Sequence, residues 1–233
     1  MDVQAYPLVG IGLYTPTEAS VLTGVPVSSL RRWLQGYKYD RAGEERSSLP
    51  VWRRDLEHLD ALTVTFLDMM EGRFIDAFRR HHVTWPFIRA AAKLACEMFG
   101  GQHPFTRGKF RTDGRRIFHQ IEDAGEVKLF DMNRKSWVFN DIVAPSLFAG
   151  VEFEDDQAAR WFPMHPNKSV VIDPRIAFGR PTLFREGIPT DVLAAAVEAH
   201  EGNIQTVANW YGLSRRSVRS ASQFEKRAAR PTA

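Results

Sequence analysis

YTPTEASVLTGVPVSSLRRW, residues 14–33, carries the punctuation of two short helices joined by a tight turn. Thr15 is placed to cap the first helix, Glu18 three residues on completes a capping box, and Pro16 takes the first helical position, where an N–H would have no partner. The helix runs to about Leu22, Thr23 and Gly24 make the turn, and Pro26 with Ser28 opens the second helix. Leu30 and Leu34 can then close on Ala19 and Val25, which leaves Ser28, Ser29, Arg31 and Arg32 facing outward. A helix held in this way is free to lie in a groove of DNA. Its hydroxyls suit phosphate oxygens, and a guanidinium fork matches the edge of guanine.

After Gly36 comes YKYDRAGEERSSLPVW, two short aromatic or apolar pieces around a charged, Gly-containing tip. This is the pattern of a winged hairpin, with Lys38, Arg41 and Arg46 near the DNA backbone. A second unit of the same kind stands near the other end, IQTVANWYGLSRRSVRS, residues 204–220. There Ile204, Val207 and Ala208 pack inward, Gly212 allows the turn, Ser214 caps, and Val218 seats a helix whose outer face shows Arg215, Arg216 and Arg219. Charge follows the same division. Residues 31–54 hold seven basic and three acidic side chains, and residues 202–233 hold six basic and one acidic, while the whole chain is only +3. Positive charge therefore concentrates where phosphate binding would need it.

Between these ends the chain reads as structural. Phe66, Leu67, Met70, Phe74, Ala77 and Phe78 fall at helical spacing, interrupted only by Gly72, and Thr84 opens a further helix from Trp85 to Phe99, ended by Gly100 and Gly101. Residues 109–117, 126–131 and 136–140 alternate around turn signals and predict a small antiparallel meander. The polar stretch 152–168, with Asp155-Asp156 as a solvated turn, predicts an interdomain linker that Trp161 and Phe162 can pack down. Short extended runs follow, then a helix over about 191–200 stopped by Gly202. The expected class is α+β, mainly α, in five segments: a winged helix-turn-helix with supporting helices over 1–105, the meander over 106–151, the linker over 152–168, a second helix-turn-helix domain over 169–227 and a basic tail over 228–233.

With 233 residues and 44% hydrophobic composition the chain can bury substantial cores. No apolar run approaches bilayer length, and MDVQAYPLVGIG lacks a basic start and a long apolar stretch, so a cytoplasmic location is expected. Cys96 is the only cysteine, which excludes an intrachain disulfide and a thiolate zinc site. There is no phosphate loop, no Gly-x-Gly-x-x-Gly stretch, no serine elbow and no His-Glu-x-x-His, so neither catalysis nor a cofactor nor a metal is expected. The class open to this pattern is a dimeric binder of double-stranded DNA. A protein-interaction module whose helix-turn-helices merely pack remains the alternative.

VVIDPRIAFGRPTLFREGIPT (residues 170–190) and VANWYGLSRRSVRSASQFE (residues 207–225) resemble the small C-terminal domain of VapB-like antitoxins. TPTEASVLTGVPVSSLRRWLQGY (residues 15–37) and the later His103-Pro104-Phe105 are similar to the helix-turn-helix half of the same architecture, which is akin to MerR-type winged helices. The resemblance implies an antitoxin that binds its own operator, represses its operon and neutralises a PIN-domain ribonuclease toxin. Lys226, Arg227 and Arg230 of the basic tail could then reach the carboxylates of the toxin's metal site. A stand-alone transcriptional regulator with no toxin is the second reading of the same residues.

Overall fold

The computed structural model describes residues 8–59, 61–124 and 147–229, and it separates into two compact units. One comprises Tyr14–Phe148 and Phe153–Ala158; the other comprises the chain up to Leu13, Ala149–Glu152 and the residues from Ala159 onward.

The first unit begins with α1 (Pro16–Thr23) and α2 (Val27–Gln35). The capping box is formed: Glu18 N–H donates to Thr15 Oγ1 at 3.2 Å, and Thr15 N–H donates to Glu18 Oε2 at 2.7 Å. Gly24, at φ 76°, ends α1 in the left-handed region. α2 buries Leu30, Trp33 and Leu34 and gives way to β1 (Tyr37–Arg41) and β2 (Glu44–Ser48), an antiparallel pair with Tyr37 opposite Ser48 and Arg41 opposite Glu44. Ala42 and Gly43, both at positive φ, form its two-residue turn. Gly36 is required where the hairpin leaves α2, because a Cβ there would lie 2.4 Å from the Ser48 carbonyl oxygen.

α3 (Phe66–Arg80) and α4 (Trp85–Phe99) supply the support. Thr65 and Asp68 make a second capping box, and a two-way backbone bridge between Tyr14 and Val64 sets the starts of α1 and α3 side by side. A 3₁₀ turn (Pro104–Thr106) leads into α5 (Gly108–Ala124). The core is aromatic: Phe78 meets Phe105 at 5.0 Å, Phe105 meets Phe110 at 4.9 Å, and Phe87 meets Phe118 at 4.9 Å between ring centroids.

α5 corrects the reading of residues 109–117 as the first strand of a meander. Phe110, Ile117, Phe118 and Ile121 are buried at helical spacing, and burial on one helical face outweighs the Asp113-Gly114 turn signal. The other two expected strands, 126–131 and 136–140, lie outside the described residues. The stretch 152–168, expected as a linker packed down by Trp161 and Phe162, is folded. It carries most of a hairpin of β3 (Val151–Glu154) and β4 (Gln157–Trp161), with Asp155 and Asp156 at positive φ in the turn and Trp161 and Phe162 buried.

In the second unit β5 (Val170–Val171) pairs antiparallel with β6 (Thr182–Leu183), and Trp161 exchanges backbone hydrogen bonds with Ile172. Three helices follow: α6 (Thr190–Ala199), α7 (Ile204–Tyr211) and α8 (Arg215–Ala228). Asn203 and Ser214 cap α7 and α8, and Gly212 turns between them at φ 63°. Val207, Ala208, Val218, Ala221 and Phe224 form the apolar seam of this second helix-turn-helix. No helix among the described residues is long and apolar enough to cross a membrane.

Candidate nucleic-acid interface

α2 divides cleanly into two faces. Leu30, Trp33 and Leu34 point into the unit, while Ser28, Arg31, Arg32 and Gln35, at i, i+3, i+4 and i+7, form an exposed stripe, with Ser29 half-buried beside it. Arg31 has no ion-pair partner among the described residues, and the Arg32 guanidinium lies 5.6 Å from the centroid of the Tyr37 ring. The helix is fixed from behind. Arg80 of α3 donates to the Gly24 carbonyl in the turn at 3.2 Å, and Val51 N–H donates to the Trp33 carbonyl at 2.8 Å, tying the end of the hairpin to the end of α2.

The hairpin is fully on the surface. Lys38 pairs with Glu45 at 2.9 Å and Arg46 with Glu44 at 3.0 Å, whereas Arg41 has no such pair among the described residues. Exposed pairs of this kind contribute about 0–1 kcal/mol, so phosphate can displace the glutamates readily. In the second unit Arg215, Arg216 and Arg219 are exposed at the front of α8 without ion pairs among the described residues, and Trp210 at the end of α7 is 67% exposed. Lys226 and Arg227 are exposed in the last turn of α8; Arg230 lies outside the described residues.

Behind α2 lies a buried polar network with no local signature in the sequence. Asp55 Oδ1 meets His103 Nε2 at 2.9 Å, Thr65 Oγ1 donates to Asp55 Oδ2 at 2.7 Å, and Trp52 Nε1–H donates to Asp68 Oδ1 at 2.7 Å. Glu71 accepts the backbone N–H groups of Phe105 and Thr106 at 3.3 and 3.2 Å. Burial pushes the Glu71 carboxyl up to about 8, against the opposing charge of His103 and those two N–H donors. Burial likewise raises Asp68. At Asp55 burial acts upward, but the hydrogen bond and charge of His103 with the Thr65 hydroxyl bring the carboxyl below its ordinary value. Burial opposes the charge on His103, and Asp55, Asp68 and Glu71 together raise it. Asp55, Asp68 and His103 offer donor atoms within 4.8 Å of one another, the types a divalent ion would use. Asp55 and His103 are engaged with each other, and Trp52 and Thr65 donate to Asp68 and Asp55, while His103 Nδ1 is buried without a hydrogen-bond partner among the described residues. Only its Thr65–Asp68 capping box could have been read from the sequence.

An exposed polar stripe on a short helix, backed by a capped partner helix and flanked by a two-stranded wing, defines a helix-turn-helix protein. Residues 12–92 match the family described as "Putative DNA-binding HTH domain". Along nearly its whole length the chain is similar to "Putative antitoxin VapB45" of Mycobacterium tuberculosis, 26% identical over 224 residues that cover 91% of this chain and 92% of that one. Its fold is that of the X-ray crystal structure of Rv2018 from Mycobacterium tuberculosis, at a TM-score of 0.64 and 24% identity, covering 91% of this chain and 98% of the other. The likeness to VapB-like antitoxins noted in the sequence is thus found over both units.

Proposed function

We propose that this protein is a cytoplasmic, homodimeric, DNA-binding antitoxin that represses its own operon and neutralises a PIN-domain ribonuclease. It acts by binding, without a catalytic step or cofactor of its own. The observation that carries the DNA half is the exposed stripe of α2, Ser28, Arg31, Arg32 and Gln35, held by a buried face and flanked by cations of the wing. Arg31 and Arg32, with Ser28 and Ser29, read base edges and adjacent phosphates; Lys38, Arg41 and Arg46 hold the backbone. Arg215, Arg216 and Arg219 make a second, weaker contact through α8. The similarity to a protein named as an antitoxin supports the toxin half.

The test is binding to duplex DNA from upstream of its own gene. Arg31→Ala with Arg32→Ala abolishes binding, whereas replacing Arg215, Arg216 and Arg219 with Ala weakens it less; the reverse ranking moves recognition to α8. For the toxin, co-purification with a PIN-domain nuclease encoded beside the gene supports the pairing, and its absence leaves a stand-alone regulator. A chain ending at Phe224 that still inhibits the nuclease removes Lys226, Arg227 and Arg230 from the toxin contact.

A further inference from the structure

Beside the exposed stripe of α2 a cleft of about 390 Å³ opens between that helix, the base of the wing and the helices α3 and α4. Three arginines line it: Arg32 from α2, Arg79 from the last turn of α3 and Arg89 from α4. Each is held in place. Arg79 donates to the Val83 carbonyl and lies 5.4 Å from the Trp85 ring centroid. Arg89 donates to the carbonyls of Pro50 and Leu49 at 3.2 and 2.8 Å and to Ser48 Oγ at 3.2 Å. Arg32 sits by Tyr37, as described above. Neutral carbonyls and rings orient these guanidinium groups without cancelling their charge. The one carboxylate in the wall, Asp76, is engaged with Arg80 at 2.6 Å. Three guanidinium groups against one carboxylate that is already paired with Arg80 leave the cleft net cationic over its described lining. The hydrogen bonds on Arg79 and Arg89 place those two side chains before any ligand arrives, which lowers the entropy lost on binding.

We infer that this cleft seats one backbone phosphate of the duplex that α2 enters. The inference rests on the DNA-reading role proposed above. The occupant follows from charge and continuity. The recess is surplus positive, it takes in Ser29 and Arg32 of α2 itself, and it lies beside the wing, so a strand running from α2 to the wing passes its mouth. Arg79 and Arg89 thereby join the interface as phosphate-holding residues contributed by the supporting helices. They carry no base preference, because a phosphate is the same at every step.

The experiment is a phosphate scan on a duplex from upstream of the gene, each phosphodiester replaced in turn by a neutral methylphosphonate. It is read with the wild-type chain, Arg79→Gln and Arg79→Lys. In the wild type, one phosphate per protomer costs about tenfold in affinity when neutralised. In Arg79→Gln that penalty falls severalfold, since Arg32 and Arg89 remain, and the slope of log K against log salt becomes shallower by up to about 0.9. Arg79→Lys keeps charge and penalty alike, which separates lost contact from lost folding. A penalty that survives unchanged in Arg79→Gln overturns the assignment while leaving the α2 reading intact, as does a flat scan in a chain that binds duplex tightly. Displacement of DNA by millimolar inorganic phosphate with a flat scan makes the cleft a small-anion site and also overturns it. Failure of the wild type to bind any duplex removes the DNA reading and the inference together.

Discussion

Gly72 is where α3 meets α2, and Gly72→Ala probes that packing directly. A Cβ at Gly72 would lie 2.8 Å from Leu30 Cδ2 and 3.7 Å from the far edge of Trp52. Carbon atoms in contact sit about 3.5–4.0 Å apart, so the first distance is short by roughly 1 Å. Leu30 has no exposed surface, so its Cδ2 can move aside only by displacing the side chains packed around it. Overpacking of this size costs about 1–3 kcal/mol, while replacing a mid-helix glycine by alanine gains about 1 kcal/mol in helix propensity. The expected net result is a destabilisation of about 1 kcal/mol, measured by urea unfolding of the full chain. The decisive quantity is the coupling with Leu30. Leu30→Ala alone costs about 2–5 kcal/mol, but in the Gly72→Ala background the new methyl group occupies part of the space left behind. The double variant is then more stable than the sum of the single effects by about 1–2 kcal/mol, in the range for residues in contact. Duplex affinity falls in Gly72→Ala and recovers in part in the double variant, because α2 carries Arg31 and Arg32 with it. A stabilised Gly72→Ala with additive behaviour toward Leu30→Ala would refute the packing argument.

The buried network makes stability depend on pH. Glu71, at about 8 in the fold against 4.5 for the free side chain, and the raised Asp68 and His103 all retain protons that the unfolded chain releases sooner. Their contribution is full below the unfolded values and is lost as pH rises toward 8, so the melting temperature falls between pH 5 and 8.5. Asp55, with the opposite shift, loses its contribution only under strong acid. Glu71→Gln, neutral throughout, flattens the decline; a melting temperature that climbs with pH over this range contradicts the assignment. His103→Ala leaves the Asp55 carboxylate without its cation and costs about 3–5 kcal/mol in chemical denaturation at neutral pH. Thr15→Ala removes the α1 cap and costs about 1 kcal/mol, whereas Thr15→Ser is nearly neutral. Finally, the five α2 and wing cations contribute about −4.5 per protomer to the salt slope of DNA binding, and replacing Arg41 alone lowers that contribution to about −3.6.

What the sequence revealed and what it concealed divide along one line, the distance over which a signal acts. The helix-turn-helix units were legible because each is local. Thr15 with Glu18, Gly24, Gly212 and Ser214 act within one turn of the residues they stop or start, and the outward stripe follows from which neighbours are apolar. Residues 109–117 misled for the same reason. Asp113-Gly114 is a local turn signal, but Phe110, Ile117, Phe118 and Ile121 are drawn into a shared aromatic core, and Gly114 is itself buried in the helix that results. Asp55, Asp68, Glu71 and His103 form no periodic pattern, since they become neighbours only when the start of α3 closes on the 3₁₀ turn beyond α4. Arg79 and Arg89 are hidden by the same cause. Each reads as an ordinary surface cation of its own helix, and only the approach of α3 and α4 to α2 and the wing brings them to one recess with Arg32. A basic stretch of sequence therefore marks α2 as the helix proposed to face a duplex, but the set of cations grouped around it is fixed by the helices that hold α2 in place.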